Sequence, residues 1–216
     1  MMSGGRFITL EGIEGAGKST VAKFAVAWLG RHDVPVRSTR EPGGTPLAER
    51  VRQIALEPGT EAVSPVTETL LMFAARALHV QNVIRPAMAR GEWVVCDRFT
   101  DATRAYQGSG RGVDAGLIET LAQAVHPDLS PHCTLLLDLP VSAGLGRARS
   151  RPGSGADRFE AETVEFFERV REGYLALARR EPERFCLIDA AAPLMEVEHR
   201  VAEALARLNP PKARRR

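Results

Sequence analysis

Gly12-Ile13-Glu14-Gly15-Ala16-Gly17-Lys18-Ser19 follows directly on the apolar run Phe7-Ile8-Thr9-Leu10. The stretch fits the pattern G-x-x-x-x-G-K-[ST], in which glycines let the backbone curl until several N–H groups converge on an anion. In that pattern the lysine reaches the β- and γ-phosphates of a nucleotide and the hydroxyl after it ligates Mg²⁺, the jobs that fall here to Lys18 and Ser19. The flanks supply the setting the pattern needs. Arg6 to Leu10 reads as a short buried strand, and Ser19 to Leu29, with Val21, Phe24, Ala25, Trp28 and Leu29 at helical spacing, reads as a helix. Gly12, Glu14, Gly15, Ala16, Gly17, Lys18, Ser19 and Thr20 therefore form the expected cradle for ATP.

Further strand-type runs recur at 34–39, 92–96, 133–139 and 184–189, with helical segments expected near 19–31, 45–56, 65–90, 101–107, 114–125, 140–149, 159–181 and 194–208. Strands that alternate with helices specify a parallel sheet covered on both faces, so the expected fold class is α/β with five parallel strands. No internal repeat or long linker appears, and one domain over residues 1–216 is the expectation for 216 residues. Arg151 to Ala156 is small and polar between Arg-bearing stretches and reads as a loop or lid, spanning about 147–158; the basic end at 210–216 reads as a frayed tail.

Composition narrows the class. A net charge of +2, with basic residues scattered apart from the tail, gives no nucleic-acid surface. Cys96, Cys133 and Cys186 are odd in number and lie in or beside apolar runs, as reduced thiols in a core do. No apolar stretch approaches the ~18 residues of a membrane span, and the first ten residues do not form a secretion signal, so a cytoplasmic protein with no membrane partner is expected.

In open parallel sheets ligands sit beyond the carboxyl ends of the strands. There the chain carries the phosphate loop, Arg40-Glu41-Pro42-Gly43-Gly44, Asp97-Arg98-Phe99 and a helix that leads to the Arg-rich loop. A guanine-reading switch needs an Asn-Lys pair after a strand, and the chain has none. Several arginines near a phosphate loop suit transfer to a second phosphate-bearing substrate, because phosphoryl transfer needs positioning and positive charge more than covalent chemistry.

Taken together, Phe7 to Ser19, Thr39 to Thr45 (Thr-Arg-Glu-Pro-Gly-Gly-Thr), Leu71 to Arg76 (Leu-Met-Phe-Ala-Ala-Arg), Asp97-Arg98, Ala105 to Gly108, Leu136 to Asp138 and Asp157 to Glu160 resemble the bacterial thymidylate kinase family, in its order and about its spacing. The resemblance implies a P-loop kinase fold with an Arg-bearing lid, an enzyme making dTDP from dTMP and ATP with Mg²⁺, and a homodimer formed through helices on one side of the sheet. It implies that Phe73 stacks on thymine, Arg76 bonds its O4, and Thr103 and Gln107 meet the far edge of the base. Tyr106 would crowd the sugar's 2′ position, Arg52 and Arg98 would hold the dTMP phosphate, and Glu41 would shape the same edge. Glu14 would lie near the 3′-hydroxyl, and Asp97 would hold Mg²⁺ waters or orient the acceptor phosphate.

Read without the resemblance, Phe73 is a core aromatic on an amphipathic helix, and Tyr106 to Gly110 is a helix end running into a turn. Gly15 stands where some relatives carry an Arg, so the missing charge is expected from the lid: Arg151 and Arg158 on the transferred group, with Arg147 and Arg149 toward ATP. The sequence does not single out one of these four. Ala102, Phe99 and Arg104 also depart from the pattern, beside the expected base site. A kinase for another nucleotide and a nucleotide-dependent switch are the rival readings.

Overall fold

Five short strands form one parallel sheet in the order β2-β3-β1-β4-β5: β1 (Phe7–Glu11), β2 (Val36–Arg40), β3 (Trp93–Asp97), β4 (Cys133–Asp138) and β5 (Phe185–Asp189). This computed structural model describes residues 4–57, 61–150 and 162–208. Strand β1 lies at the centre, with Ile8 opposite Val95 on one side and Cys133 on the other. All five residues of β1 are buried, which is why its sequence is a near-continuous apolar run. Edge strand β2, by contrast, is polar and half-exposed.

The helices are α1 (Lys18–Arg31), α2 (Pro46–Leu56), α3 (Pro65–His79), α4 (Arg85–Ala89), α5 (Thr100–Thr103), α6 (Ala115–Val125), α7 (Val141–Arg149), α8 (Val164–Arg180) and α9 (Leu194–Arg207). Local chemistry starts several of them. The side chains of Thr45, Ser64, Asp114 and Thr163 each accept a bond from a backbone N–H three residues on, and proline occupies the first turn of α2 and α3. The main core joins Ile8 and Leu10 of β1, Leu135 and Leu137 of β4, Leu29 of α1 and Phe167 of α8.

Two helices differ from the sequence expectation. The single helix expected at 65–90 contains a π-helical segment, Val80–Ile84, between α3 and α4, and the one expected at 101–107 is α5 followed by a π-helical segment over Arg104–Gly110. Within the second, Arg111 N–H donates to Tyr106 O, five residues back, at 3.0 Å. Each wide turn rotates the residues beyond it relative to an α-helix, and such turns cluster at functional sites. The second carries Tyr106 and Gln107. Cys96 and Cys133 are buried and Cys186 half-buried, none in a disulfide. No helix among the described residues is long and apolar enough to cross a membrane.

Candidate active site

Parallel strands deliver their carboxyl ends to one edge, and the residues there line two adjoining clefts. One is walled by Lys18, Ser19, Gly15, Gly17 and Asp97; the other by Met72, Arg76, Ala102, Thr103, Tyr106 and Gln107. Glu14, Glu41, Arg52 and Arg98 belong to both. The two arginines thus stand at the junction.

In the first cleft, Lys18 Nζ donates to the carbonyls of Gly12 and Ile13 at 3.0 and 2.8 Å, which curls the loop around its own lysine. Enclosure by protein and repulsion from Arg98 push the Lys18 pKa down to about 8, against the pull of Glu14, Asp97 and Glu11. Gly15 has φ +73°, and a Cβ there would lie 2.0 Å from Gly144 O of α7. Reciprocally, a Cβ on Gly144 would lie 2.6 Å from Glu14 O. The loop and α7 touch backbone to backbone. Glu14 joins Arg98 Nη2 at 2.7 Å and takes a short bond from the Tyr106 hydroxyl. Burial pushes its pKa up, but Arg98 and Lys18 outweigh that and hold it below the ordinary carboxylate value.

Asp97 ends β3 beside Lys18, and its Oδ1 is buried without a hydrogen-bond partner. An orphaned carboxylate oxygen in the same cleft as the Ser19 hydroxyl fits a hard divalent cation such as Mg²⁺. Among the described residues no three His, Cys, Asp or Glu side chains converge as a metal cage.

Arg98 adopts φ +70° and directs its guanidinium back along the edge, donating to Tyr174 at 3.2 Å and to the Tyr106 hydroxyl at 3.0 Å, with its Cζ 4.6 Å from the Tyr106 ring. Tyr174 in turn donates to Glu11 Oε2 at 2.7 Å, and Phe99 N–H donates to Glu11 Oε1 at 2.8 Å. Burial, with Asp101 nearby, pushes the Glu11 pKa up to about 8. In sequence Glu11 is only the residue that closes an apolar strand; its place immediately before Gly12 is the one signal of its role.

The second cleft is held by paired groups. Arg76 Nε donates to Glu41 Oε2 at 2.7 Å, and its Nη2 to Phe99 O at 3.1 Å and Thr103 Oγ1 at 3.2 Å. Glu41 also binds His79 Nδ1 at 2.9 Å. Burial raises the Glu41 pKa, but Arg76 and His79 prevail and hold it low. Arg76 Nη1 remains buried without a partner. Gln107 Nε2 donates to Glu68 Oε1 at 2.9 Å, and Arg52 Nη1 to Pro42 O at 3.1 Å.

Phe73 requires a correction: its ring is buried with Val113, Ile118 and Ala122, 4.7 Å beneath the Arg76 guanidinium, and does not line the cleft. Met72 does. Successive helical residues diverge by about 100°, so the residue four before Arg76 shares the cleft face while Phe73 turns inward. Arg104 is tied to Asp101 at 2.9 Å and Glu119 at 2.7 Å rather than to the cleft, and Phe99 packs edge-on to Phe7 at 4.9 Å. Thr20 is exposed on α1; Arg147 and Arg149 lie exposed near the end of α7, with Arg147 Nη1 donating to Ala190 O at 3.1 Å. Arg151 and Arg158 lie outside the described residues.

Two clefts that meet at a pair of arginines suit the passage of a phosphoryl group between two bound phosphates, and the fold around them makes the chain a P-loop kinase. A family model described as thymidylate kinase matches residues 10–201. The thymidylate kinase of Pseudomonas syringae pv. syringae (strain B728a) is 58% identical over 194 residues, covering 90% of this chain and 91% of that one. That of Methylococcus capsulatus (strain ATCC 33009 / NCIMB 11132 / Bath) is 55% identical over 201 residues, covering 93% and 95%. The crystal structure of thymidylate kinase from Ehrlichia chaffeensis superposes with a TM-score of 0.74 at 30% identity, covering 95% of this chain and 99% of that one. The chain belongs to the thymidylate kinase family, whose members are nucleoside monophosphate kinases.

Proposed function

We propose that this chain transfers the γ-phosphoryl group of ATP to dTMP, giving dTDP and ADP. The observation that carries the reading is the junction of the two clefts at Arg52 and Arg98, with Lys18 on one side and the unpartnered Arg76 Nη1 on the other. A thymine O4 is an acceptor for that buried donor, whose desolvation is otherwise uncompensated.

With thymine against Arg76 and Gln107, the 5′-phosphate reaches the junction, where the guanidinium forks of Arg98 and Arg52 match its oxygens. A phosphate oxygen of dTMP attacks the γ-phosphorus while the bond to the β-phosphate oxygen breaks, and ADP leaves with that electron pair. The attacking oxygen is already anionic near neutral pH, so no general base is needed. Lys18 and the loop N–H groups hold the donor phosphates, and Arg98 bears on both substrates; alignment and charge neutralisation supply the catalysis. Asp97 and Ser19 would hold Mg²⁺, which when bound neutralises charge on the donor oxygens. Glu14 keeps Tyr106 and Arg98 in place, and the Tyr106 ring borders the space for the sugar, so deoxyribose is preferred on steric grounds.

The remaining charge on the transferred group is assigned to Arg151 and Arg158, with Arg147 and Arg149 toward the nucleotide; the close approach of α7 to Gly15 supports a supply from that helix and the chain beyond it. The reading extends to a single cytoplasmic domain acting as a homodimer. Leu47 and Ile54 of α2 and Val66 and Leu70 of α3, all about half-exposed or more, supply an apolar face for a second copy. A coupled ADP-release assay tests the central claim. Turnover should require dTMP and exceed that with dCMP, dUMP or AMP; ATP hydrolysis indifferent to dTMP would refute it.

A further inference from the structure

One buried carboxylate at the acceptor cleft has no part in the transfer. Glu68 of α3 is 1% exposed, and its Oε1 accepts from Gln107 Nε2 at 2.9 Å and from Arg111 Nε at 3.3 Å. A carboxylate paired with a guanidinium offers only acceptors, so Gln107 must turn its amide nitrogen toward Glu68. The amide is planar, with nitrogen and oxygen directed apart. The carbonyl oxygen is therefore the end that Gln107 has left for a ligand in the cleft it lines.

Thr103 lies one helical turn before Gln107 and accepts from Arg76 Nη2, which places Arg76 on the same wall. Arg76 Nη1 is a buried donor without a partner. The wall thus presents one fixed acceptor and one fixed donor. A pyrimidine with N3–H beside a 4-carbonyl complements that pair. One with a bare N3 beside a 4-amino group opposes it at both positions.

We infer that Glu68 is a specificity-determining positioning residue, which fixes the polarity of the Gln107 amide and so makes the cleft take a keto pyrimidine and refuse an amino pyrimidine. The inference rests on the dTMP reading above. Arg111 holds the carboxylate from behind: its Nη1 also pairs with Glu162 Oε1 at 2.7 Å, and its Cζ lies 4.9 Å from the Phe166 ring. Glu68 is thereby tied to the start of α8 as well as to the cleft. Reversing the Gln107 amide would set a carbonyl against a carboxylate, a cost that the amino pyrimidine must also meet.

The test compares kcat/KM for dTMP and dCMP in wild type and Glu68→Gln. A glutamine at 68 can offer either end of its own amide, so Gln107 is free to turn. The dTMP:dCMP ratio should fall by about tenfold or more, through a higher KM for dTMP and a lower one for dCMP, since hydrogen-bonding sites discriminate by leaving the wrong partner unpaired. KM for ATP and kcat at saturating dTMP should stay within about twofold. In a Gln107→Leu background the same change should leave the ratio unmoved. If Glu68→Gln does not accumulate as folded protein, Glu68→Asp keeps a negative charge near Arg111 but draws the oxygen back from the amide, and should shift the ratio in the same direction. An unchanged ratio in the folded variant, or equal losses for both pyrimidines and for ATP, overturns the inference. A wild type that turns over dCMP as well as dTMP instead overturns the dTMP reading.

Discussion

The two clefts use similar residues but are held by different means. Around the acceptor cleft, side chains fix one another: Arg76, Glu41, His79, Thr103, Glu68 and Gln107 are buried and bonded, leaving Arg76 Nη1 to a ligand. At the phosphate loop, Ser19 is exposed and Asp97 Oδ1 unpartnered, and shape comes from backbone, through the Lys18 bonds to loop carbonyls and the contact of Gly15 with Gly144. A base is recognised by fixed polar edges, whereas a polyphosphate is held by N–H groups and charge, so each end is organised for what it meets.

The largest effect is expected from removing charge at the loop. Lys18→Ala should lower kcat by about 10²–10³, the range for losing one preorganised donor to a developing charge, while dTMP affinity measured by calorimetry changes little. A comparable loss of dTMP affinity would mean the clefts are not separable.

Arg76→Ala should do the opposite, raising KM for dTMP roughly a hundredfold and leaving KM for ATP nearly unchanged, as fits the loss of charge-assisted bonds in a buried site. It also takes the partner from Glu41 Oε2 and leaves that buried carboxylate with His79 alone, so unfolding free energy should fall by about 3 kcal/mol in denaturant titration. Equal changes in both KM values would break the comparison.

Backbone packing at the loop can be isolated with two glycines. Both have positive φ, but a Cβ at Gly17 meets nothing within 4 Å, whereas one at Gly15 strikes Gly144 O. Gly15→Ala should therefore cost about 2–4 kcal/mol, and Gly17→Ala about 1 kcal/mol, read as melting temperatures by calorimetry. Similar shifts would show that conformation alone, and not contact with α7, sets the cost.

The smallest effect is a pH dependence. Enclosure and Arg98 favour the uncharged Lys18, so the lysine loses its proton as pH rises through about 8. Above that value kcat/KM for ATP should fall by up to about tenfold per pH unit, while the limb in kcat lies higher because bound phosphate favours the charged form. A flat profile in kcat/KM from pH 7 to 9.5 would contradict it.

Most of this architecture was legible because apolar runs, prolines and capping residues mark each element locally. The phosphate loop was legible for the same reason. What escaped depends on side-chain direction. Met72 and Phe73 are both apolar and adjacent, and only the helix's seating decides which meets the cleft. The π-helical segments leave the apolar periodicity unbroken, so a reading by helical spacing passes through them. Glu11 and Glu68 look like ordinary carboxylates in sequence, and their partners lie far along the chain, Tyr174 for one and Gln107 with Arg111 for the other.

The contact of Gly15 with Gly144 also bears on how this chain could change. An arginine at position 15 would need the volume that the α7 backbone already fills, 2.0 Å from its first side-chain atom. No side chain can therefore be placed at position 15 while α7 keeps its present seat. The helix ending in Arg149 would have to withdraw first, so enlarging position 15 takes coordinated changes in both segments.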